Sequence, residues 1–382
     1  MPQNKARSRR RSTAPRADNK EPFYAAVDLG TNNCRLLIAQ RHGSYFRVRE
    51  SYSQLVRLGE GLEDTGQLSA ASMDRTISAL TEIRKRLKRR KVSKVRCIAT
   101  QACRQANNSQ DFVQRVQKET GLSFKIISGA EEAHLAAIGC HNLIEPTANT
   151  VMVLDIGGGS TEIAFLDTSN IDTRDLQRLV RKTPIKAWRS FPIGVVTLRD
   201  RFLQDRNGPD EGYASMQSYA TELFQSWKKG QALSNEIGHE TAHIIGTSGP
   251  VTLLAGVHLD LKAYKRDLVD GSWMDRAEAK AVIDRVTGTS MPERGQFPTI
   301  GPERADLMIA GCAIFDAALE AFPAPRIRVA DRGLREGLLL SMIHGNKKKT
   351  RRRRRPNRSK QGSGRATPAS SSAPSTSAGD HA

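Results

Sequence analysis

The sequence predicts an α/β protein in which two domains are built on one plan. Strand-like and helix-like segments alternate along the body of the chain, which is typical of α/β proteins. The pattern apolar–Asp–apolar–Gly occurs twice, at residues 27–30 and 154–157. The length of 382 residues suits about two to three domains of roughly 100–200 residues each. A duplicated α/β domain accounts for these three observations.

The first predicted domain opens with a strand, a tight turn and a second strand. An apolar run covers residues 23–29, and apolar residues alternate around 34–38, as in paired strands. A helix is predicted over 69–91, because apolar residues recur there at spacings of three and four. Along the chain the pattern further predicts a strand at 45–48, a strand at 95–99, a helix at 109–119 and a strand at 124–127.

The second predicted domain begins with a helix at Ser128. Serine is a preferred N-cap residue, and acidic side chains such as Glu131 and Glu132 are favourable in a first turn. Strands are predicted at 151–154 and 242–245, and a helix at 251–257 follows the second. The repeat continues without gaps, so residues 36–38 correspond to 163–165 at the offset of 127 residues that relates Asp28 to Asp155.

The positive charge of the chain is concentrated at its ends. The net charge is +20, but residues 1–22 carry seven bases and two acids, and residues 345–382 carry eleven bases and one acid. Both ends are polar and poor in apolar residues, so we predict disordered tails at 1–22 and 345–382. The body between them is only mildly basic, so the overall charge does not by itself predict nucleic-acid binding.

Cysteine usage and hydropathy predict a cytoplasmic protein without a membrane segment. The five cysteines include no C-x-x-C pair and no zinc-ligand spacing, which favours buried, reduced thiols. No apolar run reaches the roughly 18 residues of a membrane-spanning helix. The Arg-rich N-terminus is not followed by the apolar segment of a secretory signal.

Three glycine-containing turns are candidate phosphate-binding sites. Gly30 allows a tight turn, so that its amide and those of Thr31 to Asn33 can face an anion, while Asp28 suits Mg²⁺; an ordinary Asx turn is the alternative. Consecutive glycines at 157–159 remove side chains where a phosphate chain could approach Ser160. The third turn, at 246–249, precedes a helix and offers Gly246 and Ser248.

Three charged residues are candidates for handling a water molecule and a phosphoryl group. Glu132 lies in a predicted first helical turn, and Glu162 follows the triple glycine. Glu132 has a structural alternative as a carboxylate that interacts with the helix dipole. Arg104 is placed to neutralise phosphate, unless it is a surface residue. The eight histidines show no spacing of a metal site or a catalytic triad.

These motifs together resemble the exopolyphosphatase/guanosine-pentaphosphatase (Ppx/GppA) family, a branch of the actin–sugar kinase–Hsp70 superfamily. The body ends near residue 344, which is similar to the short members of that family. The matching segments are 26–33, 98–100 with Arg104, 127–133, 154–162, 245–249, 301–306 and 331–337.

The resemblance implies an architecture, a reaction and a cofactor. Two actin-like domains would enclose a cleft, domain I comprising 23–127 plus 329–344 and domain II comprising 128–328, with a final helix at about 331–343 returning to domain I. The family hydrolyses terminal phosphoanhydride bonds of inorganic polyphosphate or guanosine pentaphosphate with Mg²⁺, or Mn²⁺ in its place. The resemblance also admits a homodimer.

The resemblance assigns roles to the candidate residues. Glu132 becomes the base for the attacking water, and Arg104 holds the phosphoryl group. Asp155 and Glu162 become metal and water ligands, which with Asp28 gives the predicted metal set. The predicted phosphate-binding residues are Gly30, Thr31, Asn32, Asn33, Gly157, Gly158, Gly159, Ser160, Gly246 and Ser248.

Three functions remain open from the sequence. Exopolyphosphatase is the main prediction, and a guanosine-pentaphosphate 5′-phosphohydrolase would use the same catalytic residues with a guanine pocket. A protein of another class would bind RNA or polyphosphate through its basic tails and the basic run at 84–91. Removal of both tails separates these classes, because an enzyme keeps its turnover.

Overall fold

The structure is a computed structural model that describes residues 21–172, 175–202 and 209–345. The predicted tails at 1–22 and 345–382 lie outside these ranges, except for residues 21, 22 and 345. Each strand and helix predicted above is present in the described part, and most of them extend a few residues further. None of the helices in these ranges is long and apolar enough to cross a membrane.

Strands and helices alternate along the described ranges. The strands are β1 (Phe23–Leu29), β2 (Asn33–His42), β3 (Tyr45–Leu55), β4 (Lys94–Ala99), β5 (Phe124–Ile126), β6 (Thr150–Ile156), β7 (Thr161–Asp167), β8 (Ile185–Phe191), β9 (His243–Thr247), β10 (Trp273–Asp275) and β11 (Arg326–Ala330). The helices are α1 (Leu62–Thr65), α2 (Ala70–Arg89), α3 (Gln101–Gln105), α4 (Ser109–Thr120), α5 (Gly129–Gly139), α6 (Leu176–Arg181), α7 (Val195–Phe202), α8 (Pro209–Gln225), α9 (Lys228–Gln231), α10 (Ser234–Ile237), α11 (Gly249–His258), α12 (Arg266–Val269), α13 (Arg276–Thr287), α14 (Met291–Arg294), α15 (Ala305–Ala321) and α16 (Leu334–His344), with a 3₁₀ turn at His141–Leu143.

The strands form two sheets whose central strands pair in the same way. The first sheet has the order β3-β2-β1-β4-β5, and the second has the order β10-β11-β9-β6-β7-β8. In each sheet a central strand pairs antiparallel with the next strand along the chain and parallel with a later one. This confirms the predicted α/β fold in which two domains are built on one plan. We call the parts built on the two sheets lobe I and lobe II.

The hairpins at the centres of the two sheets have equivalent registers. Asp28 at the end of β1 lies opposite Arg35 on β2. Asp155 near the end of β6 lies opposite Glu162 on β7. The offset of 127 residues therefore holds for the opposing residues as well, although an arginine in lobe I corresponds to a glutamate in lobe II.

Helices α5 and α16 cross at close range and connect the two lobes. A Cβ atom at Gly139 would lie 1.9 Å from the Gly333 carbonyl oxygen, and one at Gly337 would lie 1.9 Å from the Leu135 carbonyl oxygen. Only glycine allows such backbone contact. The apolar side chains of α16 pack with residues of β1 and β2 in lobe I. The domain boundary predicted between residues 328 and 329 falls inside β11, which pairs with β9 of lobe II.

The carboxyl ends of the parallel strands of both lobes point toward one cleft. Turns and helix starts follow these ends, at Gly30 after β1, Thr100 after β4 and Gly157 after β6. In lobe II, Ser248 follows β9 and Asp331 follows β11. Ligands in α/β proteins bind beyond the carboxyl ends of the strands, so we expect the functional site in this cleft.

Candidate active site

A cavity of about 190 Å³ lies between the strand ends of the two lobes. Its wall includes two turns at equivalent positions, which we call turn I (residues 30–33) and turn II (residues 157–160). Acidic and basic side chains complete the wall. The charged residues that line it are Asp28, Arg35, Glu132, Asp155, Glu162, Arg304, Asp331, Arg332, Arg335 and Glu336.

Equivalent backbone hydrogen bonds close turn I and turn II. The Gly30 amide donates to the Asn33 carbonyl oxygen at 2.9 Å, and the Gly157 amide donates to the Ser160 carbonyl oxygen at 2.9 Å. These two amides are therefore used in the turns themselves. Hydrogen-bond donors remain in the amides of Thr31, Asn32, Gly158 and Gly159, which have no acceptor within the described part of the chain.

The carbonyl oxygens of the turns are held by hydrogen bonds from neighbouring segments. The Asn32 carbonyl oxygen accepts from the amides of residues 56 and 57, and that of Thr31 accepts from the amide of residue 59. Gly157 and Gly158 accept from amides at the start of α7. Fixing the carbonyl groups in this way orients the peptide planes so that the free N–H groups can face a bound anion, as in the backbone nests that bind phosphate.

Turn I also contains buried polar atoms that have no partner. Asp28 Oδ1, Thr31 Oγ1 and Asn32 Oδ1 are buried and make no hydrogen bond with any described residue. Buried polar groups in proteins are nearly always satisfied, and each exception needs an explanation. A polar ligand or ion bound at turn I would supply the missing partners.

The glycines of turn II allow the two turns to touch. A Cβ atom at Gly158 would lie 3.1 Å from the Asn32 Cβ and amide nitrogen, and one at Gly159 would lie 2.4 Å from Thr31 Oγ1. The sequence predicted that these glycines leave room for a phosphate chain. In the structure their missing side chains leave room for turn I, so that the two sets of free amides approach each other.

Glu132 and Arg104 form a short ion pair beside the cavity. Ser128 caps α5 by accepting from the Glu131 amide at 3.2 Å, which places Glu132 in the first turn. Arg104 on α3 donates from Nη1 to Glu132 Oε2 at 2.6 Å and to the Ile127 carbonyl oxygen at 3.0 Å. Glu132 lines the cavity, whereas Arg104 does not. Arg104 therefore orients the Glu132 carboxylate from outside the cavity in this structure.

A second carboxylate, Glu162, completes this cluster. The hydroxyls of Ser160 and Ser190 donate to Glu162 Oε1 at 2.8 and 2.7 Å, and Arg104 Nη2 lies 3.7 Å from the same oxygen. The Ser160 hydroxyl, predicted to contact phosphate, is thus engaged with Glu162. One arginine links both acids that the sequence selected for water activation.

Burial and the charge of neighbouring carboxylates raise the pKa of Glu132 and of Glu162. Burial is the main cause that holds the pKa of Glu132 well above its usual range, the Glu162 charge adds to it, and Arg104 opposes it. For Glu162, burial and then the charge of Asp155 raise the pKa to about 7, against hydrogen bonds from Ser190 and Ser160. A general base works best when its pKa lies near the working pH, and the upward shift moves the pKa of both acids away from the usual carboxyl range in that direction.

Asp28 and Asp155 occupy the equivalent strand ends that face the cavity. The Ser248 hydroxyl donates to Asp155 Oδ1. Burial raises the pKa of both aspartates, and the Arg35 guanidinium opposes that rise in each case. The positive charge of Arg35 thus acts on both carboxylates.

The predicted metal set does not form a site made of protein ligands alone. Within the described ranges, no three His, Cys, Asp or Glu side chains are close enough together to hold an ion. Mg²⁺ is usually held by one or two carboxylates together with waters and substrate phosphates. The unpartnered Asp28 Oδ1 and the neighbouring Asp155 are oxygen donors of that kind, so the residues fit a Mg²⁺ ion that arrives with a phosphate substrate.

Comparison with known proteins identifies the family. The model of the Ppx/GppA phosphatase family matches residues 37–346, which span both lobes and most of the chain. The chain belongs to the Ppx/GppA phosphatase family. Membership confirms the resemblance seen in the sequence motifs and implies a hydrolase that acts on phosphoanhydride bonds.

Solved structures of Ppx/GppA proteins have the same fold over nearly their whole length. The Aquifex aeolicus family member is 27% identical, with a TM-score of 0.67 and coverage of 84% of this chain and 97% of that one. A protein described as exopolyphosphatase-like is 26% identical, with a TM-score of 0.72 and coverage of 85% and 98%. An exopolyphosphatase from Cytophaga hutchinsonii, 24% identical with a TM-score of 0.73 and coverage of 85% and 99%, shares the fold.

The cavity of this Ppx/GppA protein is lined by several residues that were not predicted from the sequence. Two of the predicted site residues do not line it. Gly246 lies within β9, where a Cβ would meet Val251 and Ile327, and neither it nor Arg104 lines the cavity. Ser190, which bonds Glu162, had no signal in the sequence. Residues that line the cavity but were not selected include Arg35, Gln101, Arg304 and Arg335; the repeat could have indicated Arg35, because it corresponds to Glu162.

Replacement of Arg104 by Ala should lower kcat about 10- to 100-fold with a smaller change in KM. The reason is that Glu132 would lose the donor that fixes its Oε2 and opposes the rise of its pKa. Steady-state kinetics over a pH series measure the effect, and Arg104→Lys should recover part of kcat. A rise in KM with unchanged kcat would instead mean that Arg104 contacts the substrate directly.

Proposed function

We propose that this protein is an exopolyphosphatase that removes terminal phosphates from inorganic polyphosphate. The observation that carries the proposal is the pair of facing turns with free amides, next to a buried carboxylate pair joined by Arg104. Such an arrangement supplies donors for several phosphates and a base for one water molecule. Phosphoryl transfer depends mainly on positioning and charge stabilisation, and the cavity wall offers both.

The proposed reaction is direct attack of water on the terminal phosphorus. Glu132 Oε2 is held by Arg104, which leaves the other oxygen to accept a proton from the water. The water oxygen forms a bond to phosphorus as the bridging P–O bond breaks. The products are orthophosphate and a chain shortened by one phosphate. Glu162, fixed by two serine hydroxyls, helps to orient the water.

Negative charge on the substrate requires cationic partners along the cavity. Arg35 and Arg335 line the wall near Asp28 and make no hydrogen bond or ion pair in the described part of the chain. Asp28 and Asp155 would hold Mg²⁺ together with substrate phosphates. When bound, Mg²⁺ neutralises charge that develops on the phosphate oxygens.

The chemistry of the wall favours polyphosphate over guanosine pentaphosphate. Among the described residues that line the cavity, none is aromatic. Proteins commonly bind exposed bases by stacking them on aromatic side chains. The wall instead combines backbone amides and arginines, which match a ligand made of phosphates alone.

Side-by-side assays of phosphate release test the proposed function. We expect the purified protein with Mg²⁺ to release orthophosphate faster from long polyphosphate than from guanosine pentaphosphate, and chelation of Mg²⁺ to stop both reactions. Faster turnover of guanosine pentaphosphate would reassign the substrate while keeping the mechanism. Failure to release phosphate from either substrate would overturn the proposal.

The thiols of the protein support a cytoplasmic location for this activity. All five cysteines are buried and free. Cytoplasmic proteins keep their thiols reduced, whereas secreted domains commonly pair them.

A further inference from the structure

A strongly basic surface lies at the end of lobe I that faces away from the cavity. It comprises the end of α2, the turn that follows it and the first residue of β4, residues 84–94, and we call it the basal face. Seven of the eight residues at 84–91 are basic. Favourable interaction with the helix dipole is limited to the last turn of a helix, so it does not account for Lys91 and Lys94, which lie beyond α2.

Few acidic residues neutralise this surface. Glu50 accepts hydrogen bonds from Arg86, Arg89 and Arg90 at 3.0, 2.9 and 2.7 Å. Arg86 also pairs with Glu82 at 2.9 Å. The two acids thus hold three arginines and leave a net positive charge, with the guanidinium groups fixed in place before any ligand arrives. Such preorganisation lowers the entropic cost of binding an anion.

Four lysines of the basal face are exposed and have no anionic partner among the described residues. They are Lys85, Lys88, Lys91 and Lys94. Unpaired, exposed lysines beside a fixed group of arginines form a surface suited to an extended polyanion.

The described chain also begins near the basal face, and its other terminus lies at the same end of the first sheet. Ser93 donates to the Phe23 carbonyl oxygen at the start of β1. At the other terminus, His344 lies 2.6 Å from the Ser44 carbonyl oxygen in the turn between β2 and β3, and that turn is at the same edge of the sheet because β2 runs antiparallel to β1. From these two points the sequence continues into its basic ends, 1–20 and 346–382.

We infer that the basal face of lobe I binds the body of a long inorganic polyphosphate chain, away from the site that hydrolyses its end. This inference rests on the proposed function. Strand β4 starts at the basal face and ends next to Thr100 and Gln101 in the cavity wall, a distance of about 20 Å for six residues. A long chain can span this distance, whereas a substrate of three phosphates cannot. Binding at the basal face raises the concentration of chain ends near the cavity.

The composition of the basal face favours polyphosphate over RNA. Within residues 84–94 there is no aromatic side chain, and the nearby Tyr52 ring is covered by Arg86 at 4.4 Å. Single-stranded RNA is typically bound by stacking of its bases on aromatic rings as well as by charge. A surface made of charges alone matches a ligand that carries a charge on each phosphate and has no bases.

Neutralisation of three basal lysines in the full-length protein tests the inference. The test variant is Lys85→Gln/Lys88→Gln/Lys91→Gln. The matched control Lys228→Gln/Lys229→Gln/Arg276→Gln removes the same charge from exposed positions of lobe II that have no anionic partner within the described ranges. For chains of hundreds of phosphates at low salt, we expect the test variant to raise KM about fivefold and to reduce the slope of log KM against log salt by about 2. We expect no change in kcat or in KM for tripolyphosphate. Equal KM values and salt slopes for test and control variants would overturn the inference.

Direct binding separates failure of this inference from failure of the proposed function. The inactive Glu132→Gln protein, with and without the three basal substitutions, is titrated with long polyphosphate and with single-stranded RNA of equal charge. Tighter binding of polyphosphate that depends on the basal lysines supports the inference, even if the unmodified enzyme proves to act on another substrate. Tighter binding of RNA, or polyphosphate binding unaffected by the substitutions, would refute it.

Discussion

Replacement of Glu132 by Gln should lower phosphate release by about 10²- to 10⁴-fold, the range associated with loss of a general base. The amide keeps the size of the side chain and its contact with Arg104, but it cannot accept the proton of the attacking water. Because the turns and the arginines are untouched, KM and polyphosphate binding should change little. Phosphate release and equilibrium binding on the same preparation measure the two effects. Glu132→Ala should lose activity to a similar extent.

The neighbouring Glu131 provides a matched control for this experiment. Glu131 lies in the same turn of α5, but it pairs with Lys125 at 2.6 Å and Arg96 at 3.5 Å and does not line the cavity. Exposed ion pairs contribute little to stability, so Glu131→Gln should behave like the unmodified protein. If Glu132→Gln retained activity within a factor of a few, the base would lie elsewhere. Glu162 is then the next candidate, because it faces the same cavity and its pKa is raised to about 7.

The repeat in the sequence was enough to predict the duplicated architecture. Asp28 and Asp155 end equivalent strands, and the gapless offset extends through the hairpins that follow them. The same offset relates Arg35 to Glu162, yet only Glu162 was predicted from the sequence to be a site residue. Similarity was visible at apolar, Asp and Gly positions, which the backbone requires. At the opposing position the two lobes carry opposite charges, so residue similarity does not reveal that Arg35 and Glu162 are equivalent, although the offset relates them and the register of the folded hairpins agrees with it.

Contacts between distant segments could not be predicted from local patterns. Ser190 bonds Glu162 across 28 positions of the chain, and pairing between β7 and β8 is needed to bring them together. Arg104 was selected correctly as part of the charged cluster. The packing of α3 decides where the Arg104 side chain points, which is toward Glu132 and the Ile127 carbonyl oxygen. Gly246 illustrates the same limit, because a glycine before a turn can serve strand packing as well as anion binding.

Replacement of Gly158 by Val should lower kcat/KM about 10²-fold and leave the melting temperature nearly unchanged. In the structure an added Cβ would lie 3.1 Å from Asn32 and Thr31, so a branched side chain forces turns I and II apart. Displacement of catalytic groups by about 1 Å can cost this much activity. The opposing atoms belong to the other lobe, so the strain can be relieved by separating the turns without disrupting a hydrophobic core.

Gly194 provides the contrasting substitution for the Gly158 experiment. A Cβ at Gly194 would lie 2.4 Å from the Gly158 carbonyl carbon, within lobe II and against backbone that cannot rotate away. Gly194→Ala should therefore lower the melting temperature of the protein, which Gly158→Val should not do. Thermal unfolding and kcat/KM of both variants separate the two roles of glycine. A fall in melting temperature for Gly158→Val, with full activity of the protein that remains folded, would mean that turn II needs its glycines for folding and not for bringing the free amides of the two lobes together.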